Sequence, residues 1–249
     1  MNKLILATGA DNNYLGKIQP YLGSIIANSN FDHNVLAFLS EDEIKMKSDK
    51  IKLTKISPSK LRAKNINNCI QHGEFIYGDF FNDLDDNDII FFTDGDIILQ
   101  RNLTEEELEE YRNFKDGDVY VGYNESPTDT LENESKRIGQ ITETPSELIA
   151  DWSKVKIYNT GVLAMNKKTW LRLLEDYVVL FPIVETTFRH YAKQQWLLSF
   201  IIGTKDYNII EMPYHIHNHQ HYPSPIGSRI DNNGTVFFND SVVLFKHKW

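Results

Sequence analysis

An apolar strand that ends in two carboxylates constrains the fold of this chain more than any other feature of its sequence. Residues 89–93 are Ile-Ile-Phe-Phe-Thr, Asp94-Gly95-Asp96 follows at once, and the apolar run resumes at 97–99. A continuous apolar run is typical of a buried parallel strand, and open α/β sheets bind ligands at the carboxyl ends of such strands. Two carboxylates at such an end suit a hard divalent cation and the phosphates bound to it.

The same tripeptide occurs again at Asp116-Gly117-Asp118, so the motif alone is weak evidence for a metal site. The second copy precedes the strand-like run 119–121 and follows polar residues, which is typical of a turn that leads into a strand. We therefore interpret the first copy as a candidate metal site and the second copy as an acidic turn.

Length, charge and cysteine content restrict the class of protein. The 249 residues fit one domain with an ample core, and 41% hydrophobic residues argue against disorder. A formal net charge of -9 argues against a nucleic-acid partner, which needs a basic face. Cys69 is the single cysteine, which excludes an internal disulfide framework and a thiolate zinc site.

Hydropathy predicts a cytoplasmic protein without a membrane span. The longest apolar runs, 177–184 and 196–203, are far shorter than the roughly 20 residues that a spanning helix needs. The apolar run 4–7 near the N-terminus is too short for the core of a signal peptide.

The first hundred residues alternate between strand-like and helix-like patterns. Strands are predicted at 3–7, 35–39, 51–56 and 89–93. Helical spacing of apolar residues predicts a helix at 14–28, in which Pro20 favours a kink or a late start, and 61–86 is predicted to be mostly helical. Such alternation is typical of a parallel sheet flanked by helices.

The second half is less regular. Helices are predicted at 104–114, 167–181 and 187–202. Strands are predicted at 119–123, 158–165 and 242–245. The length and polar composition of 124–153 predict a mobile flap or an acceptor-side loop, and 212–234 is predicted to be irregular because it is rich in His, Pro, Asn and Gly.

Four segments follow one another along the chain: ATGADNNY at 7–14, FFTDGDIIL at 91–99, YNTGVLAMNKKTW at 158–170 and VVLFKHKW at 242–249. In this order they resemble the GT-A glycosyltransferases, most closely family 8 and its small viral and bacterial relatives. The resemblance implies one GT-A catalytic domain over 1–249, with a Rossmann-like, mixed and mostly parallel α/β sheet flanked by helices. Within it, 1–100 would be the nucleotide-binding half and 101–249 the acceptor-side half.

The resemblance implies a metal site that is assembled from both ends of the chain. Asp94 and Asp96 match the metal-binding acids of the family, and His247 falls where its members place a third ligand. Together with two diphosphate oxygens these groups would suit Mn²⁺, with Mg²⁺ as the alternative. The other interpretation of His247 is an ordinary histidine in a frayed tail.

The resemblance also implies a site for a UDP-sugar. Asp11, Asn13 and Tyr14 match the nucleotide loop, in which the aromatic ring stacks on the uracil, and Ala7 and Thr8 are their neighbours. A flat pyrimidine is bound by a π-face and by hydrogen-bonding groups at its edge. The alternative is a plain strand–helix turn capped by an asparagine.

Two further residues complete the predicted donor site. Gly95 lies between the acids, and Lys248 stands for the lysine that contacts the diphosphate in the family. The HKW ending is shorter than the family's spacing, however, and the arginine that many members carry before the acids is missing here. These departures leave the donor sugar and the stereochemistry open.

The candidate catalytic residues are Asn159, Gln194 and Gln195. Asn159-Thr160-Gly161 resembles the segment that approaches the donor sugar and the acceptor, although Gly161 is also compatible with a simple bulge. Gln194 and Gln195 begin an apolar helix, where retaining members place a glutamine or a carboxylate beneath the sugar.

A histidine-rich segment competes for a functional role. His215, His217, His219 and His221 would share one face of an extended segment. Three alternatives stay open: a zinc site, a lining of the acceptor cleft, and a solvated loop framed by prolines.

The sequence thus predicts a metal-dependent hexosyltransferase that moves a hexose from a UDP-sugar, with UDP-glucose favoured, to a glycan or small glycoside with retention. An inverting enzyme of the same fold is an alternative, with Glu125, Asp129, Glu143 or Asp151 as base. A second alternative is a module that binds nucleotide sugars without catalysis. A phosphatase of the haloacid dehalogenase type is disfavoured, because Ile98 occupies the position of its Thr or Val. The oligomeric state is left open.

Overall fold

The structure is a computed structural model and describes residues 1–11, 13–40, 48–57, 79–123, 128–190, 192–218 and 226–247. Its strands are, in chain order, β1 (Leu4–Asp11), β2 (His33–Leu39), β3 (Lys52–Ile56), β4 (Ile89–Thr93), β5 (Ile97–Leu99), β6 (Asp118–Tyr123), β7 (Tyr158–Asn166), β8 (Asn208–Glu211), β9 (His217–Asn218), β10 (Ser228–Ile230), β11 (Val236–Phe238), β12 (Ser241–Val242) and β13 (Phe245–His247). Its helices are α1 (Leu15–Asn28), α2 (Asp79–Asn82), α3 (Glu105–Arg112), α4 (Leu131–Ile138), α5 (Lys167–Thr187) and α6 (Lys193–Thr204), with a 3₁₀ turn at Ser146–Leu148.

A mixed sheet lies at the centre of these elements. Seven of the described strands form it in the order β3-β2-β1-β4-β7-β6-β8, and two small sheets have the orders β10-β11-β12 and β5-β13-β9. Strands β1 to β4 run parallel to their neighbours within this group, whereas β7 runs antiparallel to β4 and β6. The predicted α/β class, a mostly parallel mixed sheet flanked by helices in one domain, is confirmed.

Strand β4 is buried along its whole length, as its apolar sequence predicts. Ile90 and Phe92 belong to one hydrophobic cluster, and Ile89 and Phe91 belong to the other. Successive side chains of a strand point to opposite faces, so a strand that is covered on both faces needs apolar residues at every position. The strand therefore delivers the acids that follow it to the edge of a rigid core.

Helix boundaries agree with the sequence where capping signals are strong. The Thr104 side chain accepts the Glu107 N–H at 3.2 Å, and the Glu107 carboxylate accepts the Thr104 N–H at 2.8 Å, which is a complete capping box at α3. Helix α1 begins at Leu15 and continues through Pro20, so the late start is wrong, whereas the kink stays a prediction. Helix α5 extends beyond the predicted end at 181, and α6 begins at Lys193, later than predicted.

Other predictions in the second half need correction or lie outside the described residues. The predicted helix 61–86 lies outside the described residues as far as 78, and within them α2 ends at Asn82, before the predicted end at 86. The stretch 212–234, predicted to be irregular, contributes the short strands β9 and β10. The predicted last strand 242–245 is split between β12 and β13, and β13 includes His247.

The polar excursion 124–153 contains structure that its composition conceals. Helix α4 lies within it, and Leu131, Ile138 and Leu148 are buried in the core. The few apolar residues of this polar segment are spread out and do not form a run that periodicity can detect.

Among the described residues, no helix combines the length and hydropathy that a membrane crossing requires.

We expect the excursion to contribute to the stability of the fold through Leu131. This side chain is fully buried, whereas Ile149 in the same excursion is 73% exposed. Leu131→Ala should lower the free energy of unfolding by about 2–5 kcal/mol, since it removes buried apolar atoms and leaves a cavity. Urea denaturation measures the effect, with Ile149→Ala as the matched control, expected within about 0.5 kcal/mol of wild type. Equal effects of the two substitutions would contradict the packing of α4.

Candidate functional site

The acids Asp94 and Asp96 lie in a tight turn between β4 and β5, at the carboxyl end of β4. The backbone N–H of Asp94 donates to the carbonyl of Gly161 in β7 at 2.9 Å. The N–H of Ile97 donates to the carbonyl of Asp94 at 3.2 Å and closes the turn. The backbone is thus hydrogen-bonded before and after the acids, which fixes the positions from which their side chains extend.

His247 reaches this turn through strand pairing. Strand β13 pairs antiparallel with β5, and His247 is the register partner of Ile97. One potential ligand atom each from Asp94, Asp96 and His247 lies within 4.8 Å of the others. His247 is buried within a strand, so the alternative of a frayed tail histidine is wrong.

Gly161 leaves the space that the His247 imidazole occupies. A β-carbon on Gly161 would lie 2.5 Å from both Cε1 and Nε2 of His247, and 2.8 Å from Oδ1 of Asn159. No side chain larger than hydrogen fits at these distances without displacing the ring. The register of β7 against β6 shifts next to this point, between Val121 and Gly122, so the chain is also irregular here. Gly161 therefore permits a close approach, and the approaching group belongs to this chain.

The electrostatics of the site disfavour two negative charges without a cation. Burial, and then the charge of Asp96, raise the pKa of Asp94 to about 8. Burial, followed by the charges of Asp96 and Asp94, also raises the pKa of Tyr14. A positive ion between the acids would relieve this repulsion.

The predicted nucleotide loop lies directly against the acids. A β-carbon on Gly95 would lie 3.1 Å from Cε1 of Tyr14, so the Tyr14 ring packs on the turn that carries the acids. Asp11 holds Tyr14 in place, because its Oδ1 accepts the Tyr14 N–H at 2.9 Å. Asn13 is exposed, and its Nδ2 lies 3.5 Å from the Asp11 carboxylate. The N-cap residue of α1 is Tyr14, not an asparagine.

Ala7 and Thr8 are buried inside β1, next to the end of β4. The Thr8 hydroxyl donates to the carbonyl of Thr93 at 2.8 Å, and the Thr93 hydroxyl donates to the carbonyl of Ala7 at 3.4 Å. The Thr93 hydroxyl is also bonded to the Tyr21 phenol. These bonds join β1 and β4 immediately before Asp94, and a contact of Ala7 or Thr8 with nucleotide stays a prediction.

Two of the three candidate catalytic residues flank Gly161. The buried Asn159 accepts the Gly161 N–H at 2.7 Å, and the Gln195 side-chain oxygen accepts the Thr160 N–H at 3.4 Å. Gln194 is partly exposed in the first turn of α6. The structure thus brings Asn159 and Gln195 to the segment that contacts His247.

Other candidates are placed differently. Lys248, Glu125, His219 and His221 lie outside the described residues. Asp151 is ion-paired with Lys154 at 2.8 Å, and the hydrogen bond from Lys154 lowers the pKa of Asp151, which makes it a weak base. Glu143 is exposed, and Asp129 accepts the Ile157 N–H with its backbone carbonyl at 3.0 Å.

The second tripeptide is a structural turn, as predicted. Asp116 forms an ion pair with Lys168 at 2.7 Å. Gly117 has a φ of 90°, which favours glycine. Asp118 accepts the Lys115 N–H at 2.8 Å. These bonds account for both acids without a metal.

The sequence did not predict that His217 is buried against His247. This residue is 3% exposed in β9, and its Nε2 lies 3.2 Å from Nδ1 of His247. A β-carbon on Gly122 would lie 2.7 Å from Nδ1 of His217, so a second glycine makes room for a second imidazole. Burial lowers the pKa of His217 to about 3, which keeps the ring neutral. A solvated loop is therefore wrong for His217, and the alternating histidines were the one available signal.

Comparisons with known proteins support the fold. No protein-family model and no curated protein matches the sequence. A solved structure of the galactosyltransferase LgtC, in complex with donor and acceptor sugar analogues, is similar with a TM-score of 0.54 and 14% identity over 98% of this chain and 86% of that chain. An active-site glutamine-to-glutamate mutant of LgtC is similar with a TM-score of 0.53 and 12% identity over the same shares. Such a likeness shows the fold, and the predicted GT-A fold is confirmed.

The raised pKa of Asp94 predicts how the metal-free protein responds to pH. Its folded pKa of about 8 exceeds its ordinary value of 3.8, so the folded state binds the extra proton between these values and loses stability as the pH rises. Asp94→Asn should therefore stabilise the protein in EDTA, and the gain should grow from about pH 5 to about pH 8, by at most about 1.4 kcal/mol per pH unit. Urea denaturation at several pH values measures it.

Asp116→Asn is the control for this experiment. The hydrogen bond from Lys168 lowers the pKa of Asp116, so the stability that its ionised form contributes is already complete at pH 5. Its effect should stay constant over the same window. A pH-independent effect of Asp94→Asn would contradict the electrostatic account of the site.

Proposed function

We propose that the protein is a metal-dependent glycosyltransferase that moves a hexose from a UDP-sugar to a hydroxyl of a glycan or small glycoside, with retention and with UDP-glucose as the favoured donor. The supporting observation is the convergence of Asp94, Asp96 and His247 at the end of β4 in a GT-A fold. The acceptor is proposed only as a class.

The residues present fit a divalent cation. The two carboxylates are hard ligands and the imidazole is an intermediate ligand. This combination suits Mn²⁺ first and Mg²⁺ second. Ligand atoms within 4.8 Å of one another can share one ion after small side-chain movements, because atoms bound at about 2.2 Å lie at most about 4.4 Å apart. The raised pKa of Asp94 marks a place where a cation would be favourable.

When bound, the cation would act as a Lewis acid on the diphosphate and stabilise the departing UDP. The chain's own residues would position the donor. Tyr14, packed on Gly95, offers a ring face to the uracil, and Asp11 fixes its backbone. Asp94 and Asp96 sit beside that ring, so base and diphosphate would be held by adjacent groups.

Gln195 is the proposed residue beneath the sugar. Its oxygen accepts the Thr160 N–H, which orients the side-chain amide beside Gly161. LgtC has a glutamine in its active site, as the glutamine-to-glutamate mutant shows, and this supports a glutamine as the candidate residue here. Retention needs no general base on the opposite face, and Asp151, ion-paired and with a lowered pKa, is poorly suited to be one.

The metal site predicts the outcome of an activity assay with UDP-glucose and UDP-galactose, in Mn²⁺ or in EDTA. Release of UDP should require Mn²⁺, and Asp94→Ala or Asp96→Ala should lower kcat/KM by about 10²-fold or more, because a key electrostatic group is lost. NMR of the product's anomeric configuration decides between retention and inversion.

Asp116→Ala is the matched control for this assay, since it removes the equivalent acid of the structural tripeptide, and it should keep activity within about twofold. Full turnover in EDTA, or in Asp94→Ala, would refute the proposed site. Donor binding without turnover, with acceptors present, would favour a non-catalytic module that binds nucleotide sugars.

Neighbouring glutamines allow a second test. Gln195→Ala should lower kcat by about 10²-fold with a smaller effect on the donor KM, because the side chain would contact the reacting sugar. Gln194→Ala, at the adjacent residue of α6, should change kcat only a few-fold. Steady-state kinetics with the accepted donor measures both. The reverse pattern would transfer the role to Gln194, and two unaffected variants would remove both residues from the mechanism.

A further inference from the structure

We propose that His217 is a positioning residue, which fixes the ring orientation and the tautomer of His247 so that Nε2 of His247 can bind the metal. The inference rests on the metal site of the proposed function. It assigns a role to a buried histidine that the proposed function does not use.

The two imidazoles form a buried pair. They are 3% and 4% exposed, Nε2 of His217 lies 3.2 Å from Nδ1 of His247, and the ring planes are inclined at 53°. The Nδ1 atom of His247 therefore faces His217, while its Nε2 atom faces Gly161. With Nδ1 turned to His217, Nε2 is the ring nitrogen left to face the acids, whose ligand atoms lie within 4.8 Å of one nitrogen of His247.

The backbone holds this pair in register. Strand β9 runs parallel to β13, with His217 paired to Phe245. The Phe245 N–H donates to the Ile216 carbonyl at 2.7 Å, and the Leu244 N–H donates to the His215 carbonyl at 2.9 Å. These backbone hydrogen bonds fix β9 against β13, so the two histidines keep their positions relative to each other.

Glycines confine each ring from the side. Gly122 lies against Nδ1 of His217, and Gly161 lies against Nε2 of His247. In both cases the distance to an added β-carbon is below 3 Å, so each ring fills a space that only glycine leaves. The close contacts with the two glycines restrict the rotation of both imidazoles.

The chemistry of imidazole then sets the tautomer. A neutral imidazole has one N–H donor and one acceptor nitrogen, and only the acceptor can bind a metal. If Nε2 of His247 is the ligand, its proton is on Nδ1 and must be donated to a neighbour. Nε2 of neutral His217 is an acceptor at the right distance, and the proton of His217 is then on Nδ1.

A histidine in this place differs from the usual carboxylate partner of a metal ligand. A carboxylate would add a third negative charge beside Asp94 and Asp96, whose ligand atoms already lie within 4.8 Å of each other. A neutral imidazole accepts the same hydrogen bond without that charge.

The experiment measures Mn²⁺ affinity without turnover. Mn²⁺ alone is titrated into the full chain and free Mn²⁺ is followed by EPR. His217→Phe keeps a ring but removes the acceptor, and it should weaken Mn²⁺ binding about 10–100-fold. His217→Gln restores an acceptor oxygen and should recover affinity to within a few-fold. The matched control is His215→Ala, a neighbouring histidine whose ring is outside the pair, and it should bind as wild type does.

The tautomer is measured directly in metal-free protein by ¹⁵N imidazole NMR. His247 should carry its proton on Nδ1 in wild type and should lose this preference in His217→Phe. If His217→Phe does not fold, Gly122→Ala replaces it, because a methyl group 2.7 Å from Nδ1 of His217 would displace the ring and should weaken Mn²⁺ binding in the same direction.

The outcomes separate the two proposals. Undiminished Mn²⁺ affinity in His217→Phe, or a proton on Nε2 of His247 in wild type, would overturn the role of His217 alone. Absence of Mn²⁺ binding in wild type, or unchanged binding in Asp96→Ala, would overturn the metal site itself and the inference with it.

Discussion

The missing side chain of Gly161 is the constraint on which the candidate site depends. Its carbonyl accepts the Asp94 N–H, and its empty β-position admits the His247 ring. The same residue therefore joins the acids from β4 to a histidine from β13, two elements far apart in the chain. A substitution there would displace the imidazole or the strand, because a contact of 2.5 Å cannot be tolerated between carbon and nitrogen atoms.

Repulsion between the acids of the site makes this part of the folded protein less stable. Two acids that share a partly buried turn repel each other, and burial adds to the effect, so the pKa of Asp94 rises to about 8. The surrounding structure fixes the turn nevertheless, through Thr8, Thr93 and the buried strand β4. A conflict of this kind, held in place by a rigid core, is typical of functional sites rather than of structural turns. The second tripeptide shows the contrast, since Asp116 has Lys168 as an ion-pair partner.

The sequence predicted the elements well where the signal is local. Strand β4, the start of α3 after Thr104, and the turn at Asp116 to Asp118 all depend on residues that are close in the chain. Helix α4 was missed, because its apolar residues are few and its neighbours are polar. Burial of Leu131 and Ile138 is decided by packing against α6 and the sheet, which no short window of sequence contains.

The sequence by itself determined that two acids follow a buried strand and that a histidine stands near the other end of the chain. Tertiary structure decided what these residues do together. Only the pairing of β5, β13 and β9 brings Asp96, His247 and His217 into one place, and only the two glycines leave space for the rings. The physical reason is that periodicity and spacing in the sequence indicate which face of an element a residue occupies. Which residue it contacts depends instead on long-range strand pairing.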